Sequence, residues 1–214
     1  MFVTGYMTAA PLTVRPDTSV PDARKILTEK HFRHLPVTDS EGHLLGMVTD
    51  RDIRSAYPSS ILSGEERKKI LDKVENSTVD SIMSTELSSL NLNSTIDDAL
   101  ILLEKQNVGA LPVIDDSGKV VGIFSIRDLM KAYGELFGLY EKGSVLVSVR
   151  EPGDTNSISR LVNILEKRNT PFTRVIRSRD FSDSGEGFIV HMRVQTMQLS
   201  AIKKALAEEG FQVI

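Results

Sequence analysis

Gly46-Met47-Val48-Thr49-Asp50-Arg51-Asp52 is answered 76 residues later by Gly122-Ile123-Phe124-Ser125-Ile126-Arg127-Asp128. Working outward from this pair, Met7–Ile53 aligns with Met83–Leu129 without a gap. Of the 47 pairs, 12 are identical: Met7, Asp22, Ala23, Leu27, Leu35, Pro36, Val37, Asp39, Gly42, Gly46, Arg51 and Asp52 each meet their own type. Others are conservative, such as Val20 with Ile96 and Thr49 with Ser125. An internal repeat of this length means two copies of one structural unit.

Each copy predicts the same elements. A short extended piece, Leu12–Val14 or Ser88–Leu90, leads into apolar residues at helical spacing: Val20, Ala23, Ile26, Leu27 and Ile96, Ala99, Leu100, Leu103. Asp17-Thr18-Ser19 and Asn93-Ser94-Thr95 stand where helix N-caps belong. Next come a buried strand (His34–Val37; Ala110–Ile114), a tight turn ending in Gly42 or Gly118, a second strand and a second helix. The unit is β-α-β-β-α. Between the copies, Ser63–Asn76 is polar and predicts an exposed helix capped by Ser63, with Glu65 and Lys69 at i,i+4. Gly134–Gly143 reads as a helix end and linker.

Residues 144–214 do not join the repeat. Val145, Val147 and Val149 alternate as a strand, Pro152-Gly153-Asp154 marks a turn, and Ile158, Leu161, Val162 and Leu165 line a helical face. A hairpin is expected around Ser182-Asp183-Ser184-Gly185, then a helix with Leu199, Ile202 and Leu206, and a last strand at Phe211–Ile214. The order is β-α-β-β-α-β, a split βαβ arrangement. The fold class is thus α/β in the wider sense of α+β, with domains at 1–60, 77–135 and 144–214.

Composition excludes several functions. The 214 residues carry 29 acidic and 26 basic side chains, a formal charge of −3, which disfavours a dedicated nucleic-acid binder. That charge divides as 16 basic and 21 acidic groups before residue 144 and 10 and 8 from there on, so neither part has a strong basic field. With no cysteine, thiolate metal sites, disulfides and cysteine nucleophiles fall away together. No apolar run approaches the roughly 18 residues of a membrane span, and Met1–Ala10 shows no export signal. The expected address is the cytoplasm, with neither nucleic acid nor membrane as partner.

The quoted motif has two compatible meanings. Its [ST]-x-x-Asp spacing is that of a capping box, which satisfies free N–H groups at a helix start. The same hydroxyl can donate to a phosphate, and the same carboxylate can accept from both hydroxyls of a ribose.

With Leu35-Pro36-Val37 and Leu111-Pro112-Val113 ahead of each motif, the paired units resemble a tandem CBS-domain pair, or Bateman module, over roughly residues 1–135. The resemblance implies two CBS units packed as a pseudo-two-fold pair. It also implies an adenosine-containing regulatory ligand (AMP, ADP, ATP, S-adenosylmethionine or a dinucleotide) in clefts between the copies, with no cofactor required. Carried over by position, Thr49, Asp52 and Met47 serve one cleft, completed by Met83–Ser88 and Val108, Gly109 and Ala110. Ser125, Asp128 and Ile123 serve the other, completed by Met7–Leu12 and by Phe32, Arg33 and His34. Arg33 offers bidentate phosphate contacts that Gly109 does not, so the clefts are expected to differ in affinity or ligand. Arg33 is equally readable as a solvated surface residue.

Residues 144–214 resemble an ACT domain of ferredoxin-like topology. Val149–Asp154 matches the bend where ACT domains sometimes bind amino acids. Pairing of ACT sheets implies a homodimer. Two CBS copies followed by an ACT domain resemble the acetoin-utilisation AcuB family.

No other pattern carries chemistry. His31 and His34 sit three apart beside Asp39, but their segment runs into a strand, so a metal site is not expected, and His43 and His191 read as solvated. Phosphate-binding, nucleophile-elbow and dinucleotide glycine motifs do not occur. The expectation is a non-catalytic sensor of an adenosine-type ligand acting on an unknown regulated protein. The alternative is a structural adaptor whose motifs only cap helices.

Overall fold

The computed structural model describes residues 1–59, 61–151, 156–180 and 187–214. It divides into two units, Met1–Ala132 and Tyr133–Ile214. The expected turns at Pro152-Gly153-Asp154 and Ser182–Gly185 lie outside the described residues.

In the first unit, the 76-residue repeat holds down to single hydrogen-bonded pairs. Strands β2 (His34–Thr38) and β3 (Leu44–Thr49) pair antiparallel, with His34 opposite Thr49, Val37 opposite Gly46, and a register shift between Val37 and Thr38. Strands β5 (Ala110–Ile114) and β6 (Val120–Ser125) pair Ala110 with Ser125 and Val113 with Gly122, with the same shift at Val113/Ile114. The hairpin turns are built alike. Asp39 Oδ1 accepts from the backbone N–H of Glu41 and His43, and Asp115 Oδ1 from those of Ser117 and Lys119. Gly42 and Gly118 then take φ of 91° and 85°, a conformation that costs glycine little.

Helices α1 (Val20–Glu29) and α4 (Ile96–Gln106) bury Val20, Ala23 and Leu27 and their counterparts Ile96, Ala99 and Leu103, as the periodicity predicts. Ile26, however, is only partly buried and Leu100 is exposed, at the edge of the buried face. Ser19 and Thr95 cap them through Asp22 and Asp98. The second helix of each copy, α2 (Asp50–Ala56) and α5 (Ile126–Leu136), follows directly from β3 and β6. Val14 makes only an isolated parallel bridge to Val37, whereas its counterpart region forms a two-residue parallel strand, β4 (Leu90–Asn91), beside β5.

Helix α3 (Gly64–Glu75) modifies the expectation of a wholly exposed connector. Ser63 sits at its N-cap position, yet its side chain makes no cap hydrogen bond. Val74 is 4% exposed and, with Ile70, joins the core of Leu35, Val37, Val48 and Ile53. Two apolar positions in an otherwise polar helix are enough to dock it.

Sequence order and packing part company at the start of each copy. Val3, with no exposed surface, donates its N–H to Ser94 O, and β1 (Thr8–Ala9) pairs with Ile123 and Gly122 of β6. Reciprocally, Val79 is buried in the core of the first copy, and Ser84 pairs with Met47. Each copy thus lends its leading segment to the other.

The second unit follows the expected order: β7 (Ser144–Arg150), α6 (Ser157–Lys167), β8 (Phe172–Arg179), β9 (Phe188–Gln195), α7 (Leu199–Glu208) and β10 (Gln212–Val213). Its antiparallel sheet has the order β10-β7-β9-β8. Val147, Val149, Val190, Met192 and Val194 face Leu161, Leu165, Ile202, Leu206 and Phe211 in one core. Glu151, with a side chain 2% exposed, is held bidentately by Arg177 at 2.9 and 2.8 Å, so its buried charge is paired. His191 is less solvated than expected: its ring nitrogens meet Ser148 Oγ at 2.8 Å and Ser178 Oγ at 3.2 Å.

Candidate ligand clefts of the repeat unit

Both motifs form the capping box that their spacing predicts. Thr49 ends β3, and its Oγ1 accepts from the Asp52 N–H at 3.3 Å, while Asp52 Oδ2 accepts from the Thr49 N–H and Oγ1 at 2.8 and 2.6 Å. Ser125 and Asp128 repeat this at 3.4, 2.8 and 2.7 Å. In each box one carboxylate oxygen does the capping and Oδ1 stays outside it. The hydroxyl proton is a different matter: Thr49 and Ser125 already donate it to their own aspartates. Donation from either hydroxyl to a phosphate therefore requires breaking that bond, whereas acceptance from a ribose hydroxyl by Oδ1 requires no rearrangement.

The box alone is not diagnostic. Thr95 and Asp98 form the same arrangement at the start of α4, where Thr95 holds the Asp98 carboxyl below its usual range. What distinguishes Thr49/Asp52 and Ser125/Asp128 is their wall. Beside the first, Met47 is 4% exposed and exchanges backbone hydrogen bonds with Ser84 at 3.0 and 2.9 Å. Gly46 lets this segment approach: a Cβ there would lie 2.7 Å from Met83 Sδ and 2.9 Å from Ser84 O. Beside the second, Ile123 pairs with Thr8, and Met7 lies over Gly122.

These contacts predict an asymmetry between two equivalent glycines. At Gly122 the nearest atoms all belong to the flexible Met7 side chain, whereas at Gly46 one is a backbone carbonyl. Gly46→Ala is therefore expected to cost about 2 kcal/mol in urea unfolding, from overpacking against a part that cannot rotate away. Gly122→Ala is expected to cost less. Equal losses would contradict the packing argument.

The structure joins several sequence-predicted site residues. Met83 meets Gly46 and Met7 meets Gly122 across the repeats, whereas Ala110, expected in the Thr49 cleft, stands opposite Ser125 of its own hairpin. The His34 ring lies against Gly109, with Cε1 and Nε2 both 3.1 Å from where a Cβ would be. Burial pushes the His34 imidazole below its usual range; Asp50 and Asp52 oppose the shift and Arg33 adds to it. Val108 is half-buried just after α4. Other positions are less engaged. Arg33 is exposed, Leu12 is 43% exposed, and the Ser88 hydroxyl accepts from Gln106 Nε2. Ser84 lies within the expected Met83–Ser88, but its pairing with Met47 has no signal of its own, because an isolated bridge carries no periodicity.

Among the described residues no group of three histidine, aspartate or glutamate side chains is placed to hold a metal ion, and no helix is long and apolar enough to cross a membrane. A surface cavity of about 440 Å³ opens on the second unit, lined by Arg168, Thr170, Gln195 and Gln198 among others, remote in sequence from both motifs.

Comparison with known proteins places the repeats in a wider set. The model of the CBS domain matches residues 3–59 and 79–135. A CBS domain-containing protein of Dictyostelium discoideum is 34% identical over 130 residues, which are 61% of this chain and 89% of that protein. An L-aspartate semialdehyde sulfurtransferase of Methanocaldococcus jannaschii is 29% identical over 132 residues, 62% of this chain but only 23% of the enzyme. Among solved structures, the CBS domain pair of protein MJ0100, in complex with 5′-methylthioadenosine and S-adenosyl-L-methionine, matches at 28% identity and TM-score 0.52. The match covers 63% of this chain and all of that one. CBSX2 in complex with AMP matches at 29% identity and TM-score 0.53, covering 63% of this chain and 97% of that one.

Proposed function

This chain belongs to the CBS-domain family, and from that premise we propose that it is a non-catalytic sensor of adenosine-containing ligands, bound in the two clefts between its repeats. The observation that carries the reading is the spare carboxylate oxygen of each motif. Asp52 and Asp128 cap with Oδ2 alone, beside a wall lent by the other repeat. Asp52 and Asp128 accept from ribose, and Met47 and Ile123 lie against the base. Met83, Val108, Gly109 and Ala110 close the Thr49 cleft, and Met7, Arg33 and His34 close the Ser125 cleft. The adenosine ligands in the structures of similar CBS pairs support this choice of ligand class.

The mechanism is differential binding. A ligand that touches both repeats favours the arrangement of the repeats it fits best, and a regulated protein reads the resulting population. Residues 144–214 act as an ACT-like domain of ferredoxin-like topology that dimerises the chain or takes a second small ligand, and the protein works in the cytoplasm. The AcuB-like order of domains describes an architecture and assigns no pathway.

A thermal-shift panel of AMP, ADP, ATP, S-adenosylmethionine and 5′-methylthioadenosine tests the proposal. At about a hundred times Kd, a true ligand adds about 2.7 kcal/mol and raises Tm by roughly 5–10 °C. No shift with any of the five would sink it. The second reading, an adaptor whose motifs only cap, draws on the identical box at Thr95 and Asp98.

A further inference from the structure

We propose that His34 couples ligand binding to proton uptake, so that the clefts favour phosphate-bearing over uncharged adenosine ligands as pH falls. The inference rests on the reading of the clefts as adenosine sites and adds the charge of the ligand to it.

One imidazole stands beside both motifs. His34 opens β2 directly opposite Thr49, and its ring lies on Gly109 of the other repeat. The Gly109 carbonyl in turn accepts from the N–H of Ile126, the residue after Ser125. Glycine at 109 leaves this space: a Cβ would stand 3.1 Å from the ring, which would have to give by a few tenths of an ångström. The repeat does not duplicate the arrangement: the counterpart of His34 is Ala110, and that of Gly109 is Arg33. Beside the two motifs the seam therefore holds a single imidazole, whereas His43 meets Gly118 and Lys119 of the other repeat at the hairpin turns.

The His34 ring is half-buried and hydrogen-bonds to no described residue. Of the charged groups acting on it, Asp50 and Asp52 belong to α2, and Arg33 stands immediately before β2. Residues 108–110 of the other repeat bring no charge, and α5 begins with the exposed Arg127 and the half-buried Asp128. Burial disfavours the charged form of the ring and lowers its pKa despite the two carboxylates. A phosphate entering the seam adds a further anion, and the imidazole is the group there that can answer it by gaining a proton. An uncharged ligand offers no such gain. The sign follows: a ligand that raises the imidazole pKa binds with proton uptake and loses affinity as pH rises through the raised value.

The test is an NMR titration of the four histidine rings in the full chain between pH 5 and 8. It is run free, with saturating AMP and with saturating 5′-methylthioadenosine, with His34→Gln used to assign the resonance. The expected result is a His34 midpoint raised by AMP and left in place by 5′-methylthioadenosine. AMP affinity should then fall by about tenfold for each unit of that rise as pH passes through it. The phosphate of AMP itself titrates near 6, so AMP affinity is compared with that of His34→Gln, which should show the weaker pH dependence. An unmoved His34 midpoint with AMP bound overturns the proposal, as does binding of 5′-methylthioadenosine but not AMP. Binding of neither ligand overturns the cleft assignment itself. If His34→Gln does not fold, single replacement of His31, His43 and His191 assigns the resonance, and the titration decides alone.

Discussion

A chain lacking residues 1–10 should lose about 3 kcal/mol or more of stability, with the loss concentrated in the second repeat. Val3 has no exposed surface, and burying a valine is worth roughly 1.5–3 kcal/mol. Around it, the Val3 N–H donates to Ser94 O, the Ile96 N–H to Met1 O and the Ala10 N–H to Val121 O, while Thr8 and Ala9 pair with Ile123 and Gly122. The deletion removes all of these at once and takes Met7 off Gly122. The partners left behind lie at the start of α4 and in β6. Hydrogen exchange should therefore lose protection there before it does in α1, β2 and β3. Ligand binding gives a second readout: the cleft of Ser125 and Asp128 loses its wall, whereas that of Thr49 and Asp52 keeps Met83 and Ser84. Equal loss of protection in both hairpins would show that the lent segment is not specific to the second repeat.

Replacing Asp52 with alanine should weaken adenosine-ligand binding at its cleft by at least about tenfold, the scale of losing a charge-assisted hydrogen-bond acceptor. Arg33→Ala should cost less, because that side chain is exposed and makes no ion pair among the described residues. The separation of capping from binding comes from Asp98→Ala, which breaks an identical box at α4. It should lower stability and leave ligand affinity unchanged. Thr49→Ala, for its part, should lose about 1 kcal/mol through the cap. Calorimetry with unchanged affinity in Asp52→Ala, alongside reduced stability, would favour the adaptor reading.

Much of this is legible in the sequence alone. The 76-residue offset foretold the duplicated hairpins because paired strands impose the same turn and glycine chemistry on both copies, as Asp39-to-Gly42 and Asp115-to-Gly118 show. The capping boxes were legible because their geometry is local. The exposed-helix expectation for Ser63–Asn76 failed at Val74, since a helix with few apolar residues gives a weak periodic signal but still docks through them. The lending of Val3, Thr8, Val79 and Ser84 between copies was invisible in periodicity, because β1 is two residues long and Ser84 pairs through an isolated bridge.

By itself, then, the sequence determined the repeat, the order of elements in both units, the helix caps within the repeats (though not that of Ser63) and the motif pair that places the chain among CBS proteins. All of these depend on neighbours within a few residues or on a copy of the same pattern. Only the tertiary structure decided that the exchanged leading segments bury Val3 and Val79, that one oxygen of Asp52 and Asp128 stays outside the cap, and that His34 faces Gly109. The physical reason is that those facts depend on which surfaces meet across the repeats. Close approach there is set by the absence of a side chain at Gly46, Gly109 and Gly122, and a missing side chain leaves no hydrophobic pattern along the chain to read.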